Sequence, residues 1–444
     1  MSEIKPEVNK PAPVSPKPEA NQVVEQLDKR LTRQLAANLA VCAHCGLCNE
    51  SCHYYLASGD PEMVPAYKAD QIRKVYKRKY DWLGKLVPGW VGAVDVDPEH
   101  IDKLVDQAFG SCTMCRRCSV NCAMGIDMGM IMRNTRAILN SMGRTPKGLQ
   151  ATVDVHLSSG NNMGIETAEL VDTLEWMEEQ LQADTGDPNA KIPINKKGAR
   201  AIYTLNPREP KFYPLTILAA AKVMYAAGED WTISTDSWDV TNYALFNGDD
   251  AGAKKIADSL AKAAESLGVQ EIFMAECGHG YRAFRWESEN WLGKTYTNFK
   301  VRGFVEVMAD YIANGRLNLD PSLNKDPVTY HDPCNQARNG GIYREPRYIL
   351  QHCVTDFREM TPSGIHNFCC GGGGGALSMT EYASRRIKSG KVKADQIAAT
   401  GAKIVATSCH NCLDQLKEIC RHYGIKAEIK NLCEVVADAI VWKK

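Results

Sequence analysis

Phe368-Cys369-Cys370-Gly371-Gly372-Gly373-Gly374-Gly375 is the stretch on which the reading of this 444-residue chain turns. Adjacent cysteines cannot bridge each other without a strained loop, and glycine is costly to order unless backbone must approach something closely. Cys334 lies upstream of the pair and Cys409-His410-Asn411-Cys412 downstream. The pattern Cys, Cys-Cys, Cys-x-x-Cys gives five thiols the means to converge on one centre. The expectation is a metal cluster of iron–sulfur type, and the place where chemistry happens.

Two further groups of thiols stand near the N-terminus. Cys42-Ala43-His44-Cys45-Gly46-Leu47-Cys48-Asn49-Glu50-Ser51-Cys52 is followed by Cys112-Thr113-Met114-Cys115-Arg116-Arg117-Cys118-Ser119-Val120-Asn121-Cys122. Each reads C-x2-C-x2-C-x3-C, the spacing of two-cluster ferredoxins, in which the fourth cysteine serves the other cluster. Cys42, Cys45, Cys48 and Cys122 are therefore expected around one [4Fe–4S] cubane. Cys112, Cys115, Cys118 and Cys52 are expected around a second. His53 and Ala123 replace the usual proline after the fourth cysteine, which weakens the turn but removes no ligand.

Seventeen cysteines is an odd, clustered count without a secretory signal, so a disulfide framework is not expected and a reducing cytoplasm is. Zero formal net charge argues against nucleic acid or acidic substrates as partners. No apolar run approaches the length of a membrane span. The N-terminus, mixing acidic and basic residues with proline, does not read as a targeting peptide.

Along the chain, residues 1–22 have almost nothing to bury and are expected to be a disordered tail. Residues 23–145 read as an α-helical di-cluster domain with an insert at 53–111, and 146–195 as a helical and loop connector. Within the insert, 74–92 mixes five Lys/Arg with Tyr76, Tyr80, Trp82 and Trp90. That suits a membrane interface or a docking surface on a membrane subunit, and equally a solvated helix whose aromatics pack inward.

The remainder repeats itself. Ala201–Pro207 resembles Val328–Cys334, and Gly268–Gly280 resembles Gly401–Cys412: helix, buried strand, then a loop carrying a functional residue at the strand's C-terminal end. In the first copy most thiols are gone and only Cys277 survives, aligned with Cys409. The fold expected is α plus α/β: the ferredoxin-like helical domain, then two tandem α/β units at 196–325 and 326–444.

This combination resembles the heterodisulfide reductase D-type proteins, in which two ferredoxin motifs precede two cysteine-rich "CCG" domains; the resemblance covers residues 25 to 440. A single complete CCG copy is similar to the DsrK-like branch, with a layout nearest TmcB and HmcF, subunits of transmembrane redox complexes of sulfate reducers. The resemblance implies that Cys334, Cys369, Cys370, Cys409 and Cys412 hold one non-cubane [4Fe–4S] cluster that cleaves disulfides. It also implies a membrane cytochrome b-like subunit, a multihaem cytochrome c and a DsrC-like sulfur carrier or small-thiol disulfide as partners. The chain would then be cytoplasmic and peripheral on the inner membrane through a partner subunit.

Cleaving a disulfide takes two electrons, whereas a cubane passes them singly, so two cubanes feeding a thiolate-rich third centre suit thiol/disulfide or trisulfide chemistry. Gly371, Gly372 and Gly373 would turn backbone N–H groups toward cluster sulfur and leave room for a substrate. His410 is a candidate proton donor, and His331 with Asp332 either donates a proton or caps backbone. Cys277, beside His279, is a relic or a redox thiol facing the cluster. Arg338 and Arg344 either hold an acidic partner tail or are simply solvated. Cys353, Cys420 and Cys433 read as buried packing residues. Two other functions stay open: an electron relay for a flavin dehydrogenase of the glycerol-3-phosphate or glycolate type, and a docking module for a sulfur carrier.

Overall fold

The computed structural model of the chain describes residues 16–442. The described chain is helical as far as Thr185, and its longer helices Pro16–Arg30, Arg33–Ala40, Pro65–Tyr80 and Met128–Ser141 surround one apolar centre. Their buried residues recur at helical spacing: Val23 and Leu27, Leu35 and Leu39, Ile72 and Val75. The disorder expected through residue 22 needs correction. Residues 1–15 lie outside the described residues, but the first helix begins at Pro16, because Val23 and Leu27 give it a face to bury. The first two helices are divided where the Thr32 hydroxyl accepts the Leu35 N–H at 3.1 Å and caps the second.

Beyond Thr185 stand two parallel sheets. The first has the order β2-β1-β3-β4, from Trp231–Thr232, Ala201–Tyr203, Glu271–Met274 and Lys300–Gly303. The second has the order β5-β6-β7, from Val328–His331, Ile404–Thr407 and Glu428–Asn431. The inferred repeat is visible strand by strand. Ala201 pairs with Trp231 and Glu271, as Val328 pairs with Phe357 and Ile404. The last strand of each sheet runs into a helix whose third residue reaches back to its start, the Glu306 carboxylate accepting the Gly303 N–H at 2.7 Å and the Glu434 carboxylate the Asn431 N–H at 2.6 Å. Residues of both sheets, among them Ile272, Phe273, Tyr330 and Ala406, share one hydrophobic core.

The segment between the helical region and the sheets is not a loose tether. Its helix Lys147–Ser159 lies against the glycine run, with Leu149 packed on Gly375. Arg136, fully buried, ties the three parts together. Its guanidinium donates to the carbonyls of Ala108 (2.9 Å), Cys112, Phe246 and Gly374 (each 2.6 Å). The chain is therefore built around the junction between the second ferredoxin motif and the glycine run.

Candidate metal centres

The two ferredoxin motifs fold alike. In Cys42–Cys48 the backbone is left-handed at His44 (φ 51°) and Gly46 (φ 82°); in Cys112–Cys118 it is left-handed at the equivalent Met114 (φ 52°) and Arg116 (φ 62°). Three non-glycine residues in this region cost on the order of 1 kcal/mol each, a strain that persists where surroundings over-determine it, as around a bound group. Cys42, Cys45, Cys48 and Cys122 line one recess, with Cys118 and Met128 in its wall. Cys52, Cys112, Cys115 and Cys118 line a second, also walled by Met128. Cys45 is exposed, so the first recess stands nearest solvent.

Cys334, Cys369, Cys370, Cys409 and Cys412 are all buried in one group. Their positions follow from the sheet. Cys334 comes three residues after β5, and Cys409 N-caps the helix His410–His422 that follows β6. Cys412, three positions on from Cys409, shares its helix face. The Sγ atoms of Cys370 and Cys412 are 3.4 Å apart, far beyond a disulfide bond, and every cysteine is a free thiol. Backbone N–H groups of Gly371 and Gly372 point at the sulfurs of Cys369 and Cys370, each at 3.4 Å. A Cβ at Gly373 would stand 3.9 Å from Cys334 Sγ, and one at Gly278 3.6 Å from Cys409 Sγ. The pocket at this group is lined by four of the five cysteines and by Gly278 and His279 from the first copy.

Crowding makes these thiols share protons. Donation from Cys369 and Cys412 holds Cys370 well below the ordinary thiol range, and donation from Cys412 brings Cys409 down to about 6. Cys412, which donates to both, is pushed well above that range, and Cys334 is pushed up likewise by its hydrogen bond to Cys369. Buried thiolates this close need cations to offset them. The donor set, the cradle free of side chains and the inward N–H groups together fit a thiolate-bound metal cluster.

Several groups that sequence reasoning did not single out surround the thiols. Lys393 is fully buried, donates to Asn367 Oδ1 at 2.5 Å, and is lowered to about 8 by burial, partly offset by Asp332 and the thiols. Lys68, also buried, donates to Cys52 Sγ at 3.5 Å and to the Ser111 carbonyl. Thr113 Oγ1 lies 3.5 Å from Cys369 Sγ, so the second recess and the glycine-run pocket share a wall. His53, noted in the sequence only as a missing proline, is buried in the lining of the second recess. No local pattern marks Lys68 or Thr113, because each meets its thiol through tertiary contact.

The remaining candidates are distributed unevenly. His331 lines the pocket, its ring within 4.8 Å of the Cys370 and Cys412 sulfurs, and neither ring nitrogen has a hydrogen-bond partner. Burial holds it well below the usual histidine range. Asp332 is instead committed to Arg347, with Oδ2 2.7 Å from Nη2, and to the Gly364 N–H. His410 does not line the pocket: its Nε2 is 2.8 Å from Glu209 Oε1 and its ring stacks on Tyr213. One position past Cys409 on the helix, its side chain is turned about 100° from the thiol face. Cys277 is buried behind Gly278 and His279, its sulfur accepting the Gly280 N–H at 3.4 Å. Arg338 donates to the carbonyls of Cys115, Ile365 and Asn367, and so braces the second ferredoxin loop from the CCG side. Arg344 stacks on Tyr343 at the surface. Cys353, Cys420 and Cys433 are buried in the hydrophobic groups.

Residues 38–126 match the family model of the 4Fe-4S dicluster domain, and residues 328–417 that of the Cysteine-rich (CCG) domain. With these two matches in this order, the chain fits the heterodisulfide reductase D-like family of iron–sulfur oxidoreductases. It is 28% identical to the Hdr-like menaquinol oxidoreductase iron-sulfur subunit 2 of Archaeoglobus fulgidus, over 90% of this chain and 79% of that one. It is also 28% identical to the Hdr-like menaquinol oxidoreductase iron-sulfur subunit of Archaeoglobus profundus, over 94% and 82%. Similarity at 26% identity, over 93% and 96%, extends to the D-type polypeptide of the dihydromethanophenazine:CoB–CoM heterodisulfide reductase of Methanosarcina barkeri. No helix of the described residues is long and apolar enough to cross a membrane.

Proposed function

We propose that the chain is the electron-transferring iron–sulfur subunit of a membrane-associated Hdr-like oxidoreductase, and that thiol/disulfide or trisulfide chemistry takes place at the CCG pocket. The observation that carries this reading is the contact between Thr113 and Cys369, which makes the second ferredoxin recess and the CCG pocket neighbours. Cys42, Cys45, Cys48 and Cys122 would hold the outer cubane, nearest solvent. Cys52, Cys112, Cys115 and Cys118 would hold the inner one. Cys334, Cys369, Cys370, Cys409 and Cys412 would hold a non-cubane cluster. Bound there, the clusters supply one-electron carriers in series and a centre able to accept sulfur at iron.

The chain's own residues complete the chemistry. Reducing a disulfide to two thiols consumes two electrons and two protons. His331, in the pocket with both ring nitrogens uncommitted, is the group placed to relay a proton inward, carrying it only in transit because burial disfavours its charged form; His410, held by Glu209, is not. Lys393 and Arg338 offset the negative charge that the thiolates accumulate. The relatives' names, menaquinol oxidoreductase and dihydromethanophenazine:CoB–CoM heterodisulfide reductase, favour a quinol- or dihydrophenazine-type electron partner and a small-thiol disulfide as the other substrate; a DsrC-like protein disulfide is the other candidate, on the resemblance alone.

Burial of all five CCG thiols also favours a second reading, in which this pocket only relays electrons to a partner such as a flavin dehydrogenase. Single-turnover thiol release separates the two. Anaerobically reduced holoprotein, mixed with small and protein disulfides, is expected to release thiols, and Cys370→Ser is expected not to, while its cubane signals persist. Undiminished release by Cys370→Ser removes the catalytic assignment. Release by neither protein, with electrons still passing to an acceptor, leaves the relay.

A further inference from the structure

Midway through the insert between the ferredoxin motifs lie two short helices, Trp82–Leu86 and Pro88–Val91, that serve none of the cysteine sites. Trp90 (81% exposed), Leu86 (72%) and Trp82 (67%) are the most exposed large apolar side chains among the described residues, and Val87 and Tyr80 extend the patch. Contiguous apolar surface of this kind marks an interaction site, whereas single exposed residues do not.

Its backbone is firmly seated. Gly84 is pressed so closely on the helix Pro65–Tyr80 that a Cβ there would stand 2.2 Å from the Lys77 carbonyl oxygen. Lys77 Nζ donates to the Val91 carbonyl at 3.2 Å, and Arg78 reaches the Gly84 carbonyl at 3.4 Å and Asp95 at 2.8 Å. The fold therefore holds the two tryptophans and Leu86 outward on a fixed platform instead of turning them into the core.

The segment itself is mainly basic, although Arg78 is paired with Asp95. Residues 74–92 carry Lys74, Lys77, Arg78, Lys79 and Lys85 against Asp81 alone. Lys79 is paired with Asp28, whereas Lys85 is exposed between Trp82 and Leu86. Tryptophan with a cationic rim matches the headgroup region of an anionic bilayer, where the indole sits at the boundary and lysine meets phosphate. We propose that Trp82, Leu86 and Trp90 insert into the surface of an anionic membrane, with Lys85 at the headgroups. The helix Pro65–Tyr80 then acts as a spacer: Ala66 lines the outer cysteine recess, and Tyr80 lies about 21 Å further along the helix, at the patch.

The test uses the purified full-length holoprotein with vesicles of phosphatidylcholine alone or mixed with phosphatidylglycerol, read by flotation and by tryptophan emission. Binding is expected on the mixed vesicles, weakened by salt, with a blue shift of emission. Trp82→Ser/Trp90→Ser and, separately, Lys85→Glu are expected to weaken it at least tenfold, with unchanged visible absorption and circular dichroism reporting an intact fold. Failure of the wild type to bind either vesicle, or equal binding by the variants, overturns the proposal. So does equal binding to both vesicles. Loss of co-purification with a membrane subunit in the variants, without any vesicle binding by the wild type, overturns it in favour of a protein partner.

Discussion

Gly374→Ala tests the junction on which the arrangement of the two inner sites depends. Gly374 has φ +63°, and a Cβ there would stand 2.6 to 2.9 Å from the carbonyl oxygen, carbonyl carbon and Cα of Thr113. These are backbone atoms of the loop Cys112–Cys118, which cannot rotate away as a side-chain tip would. Left-handed strain costs an alanine about 1–2 kcal/mol, and overpacking against unyielding atoms adds about 1–3 kcal/mol. The sum is about 2–5 kcal/mol. Gly268→Ala is the control, because Gly268 has φ +67° with nothing within 4 Å of the added methyl; it bears the strain alone. Both variants are compared with wild type as thermal midpoints of the anaerobic holoprotein at one scan rate, with iron content measured alongside. Gly374→Ala is expected to fall further than Gly268→Ala and to lose iron from the CCG pocket first. Equal midpoints for the two variants, with full iron in both, refute the close contact between the glycine run and the Thr113 loop.

Thr113→Val removes the hydroxyl that faces Cys369 Sγ at nearly constant volume; a hydrogen bond to ligand sulfur favours the reduced state, so the third centre's midpoint potential is expected to drop in an EPR-monitored titration, with the outer cubane unmoved. Arg136→Met strips the charged donor from four buried carbonyls and is expected to cost at least about 3 kcal/mol, seen as a lowered thermal midpoint. His156, buried 3.3 Å from Asp239, is held below its ordinary value by burial, which the Asp239 charge only partly offsets. The unfolded chain therefore takes up this proton first as pH falls below about 6.5, so its contribution is present above that pH and lost on acidification through the folded value. His156→Gln is expected to flatten the acid side of the midpoint-versus-pH curve.

Local spacing carried much of this structure. The doubled C-x2-C-x2-C-x3-C runs fold into matching loops, and the paired segments 201–207 with 328–334 and 268–280 with 401–412 mark the strands β1, β5, β3 and β6. What spacing could not carry was direction and distance. His410 looked well placed beside two thiols, but helical geometry turns it to Glu209. His331 looked equally able to cap backbone, yet no backbone group meets its ring, which leaves it facing the pocket. Lys393 and Thr113 had no sequence signal, since each lies far along the chain from the group it meets, Asn367 and Cys369. The start of the first helix at Pro16 was hidden because the large apolar residues that give it a face begin only at Val23.

The central claim is that three separate thiol sites hold three clusters, and that the pair Cys369-Cys370 belongs to the third alone. Mössbauer and EPR spectra of the anaerobically purified holoprotein test it most directly, recorded for wild type and Cys370→Ser. Three four-iron components are expected in wild type, two of them cubanes unaltered by the substitution, and the third, sensitive to added thiol, lost in the variant. Two components in wild type, or a variant spectrum that keeps the third and loses a cubane, would contradict the account.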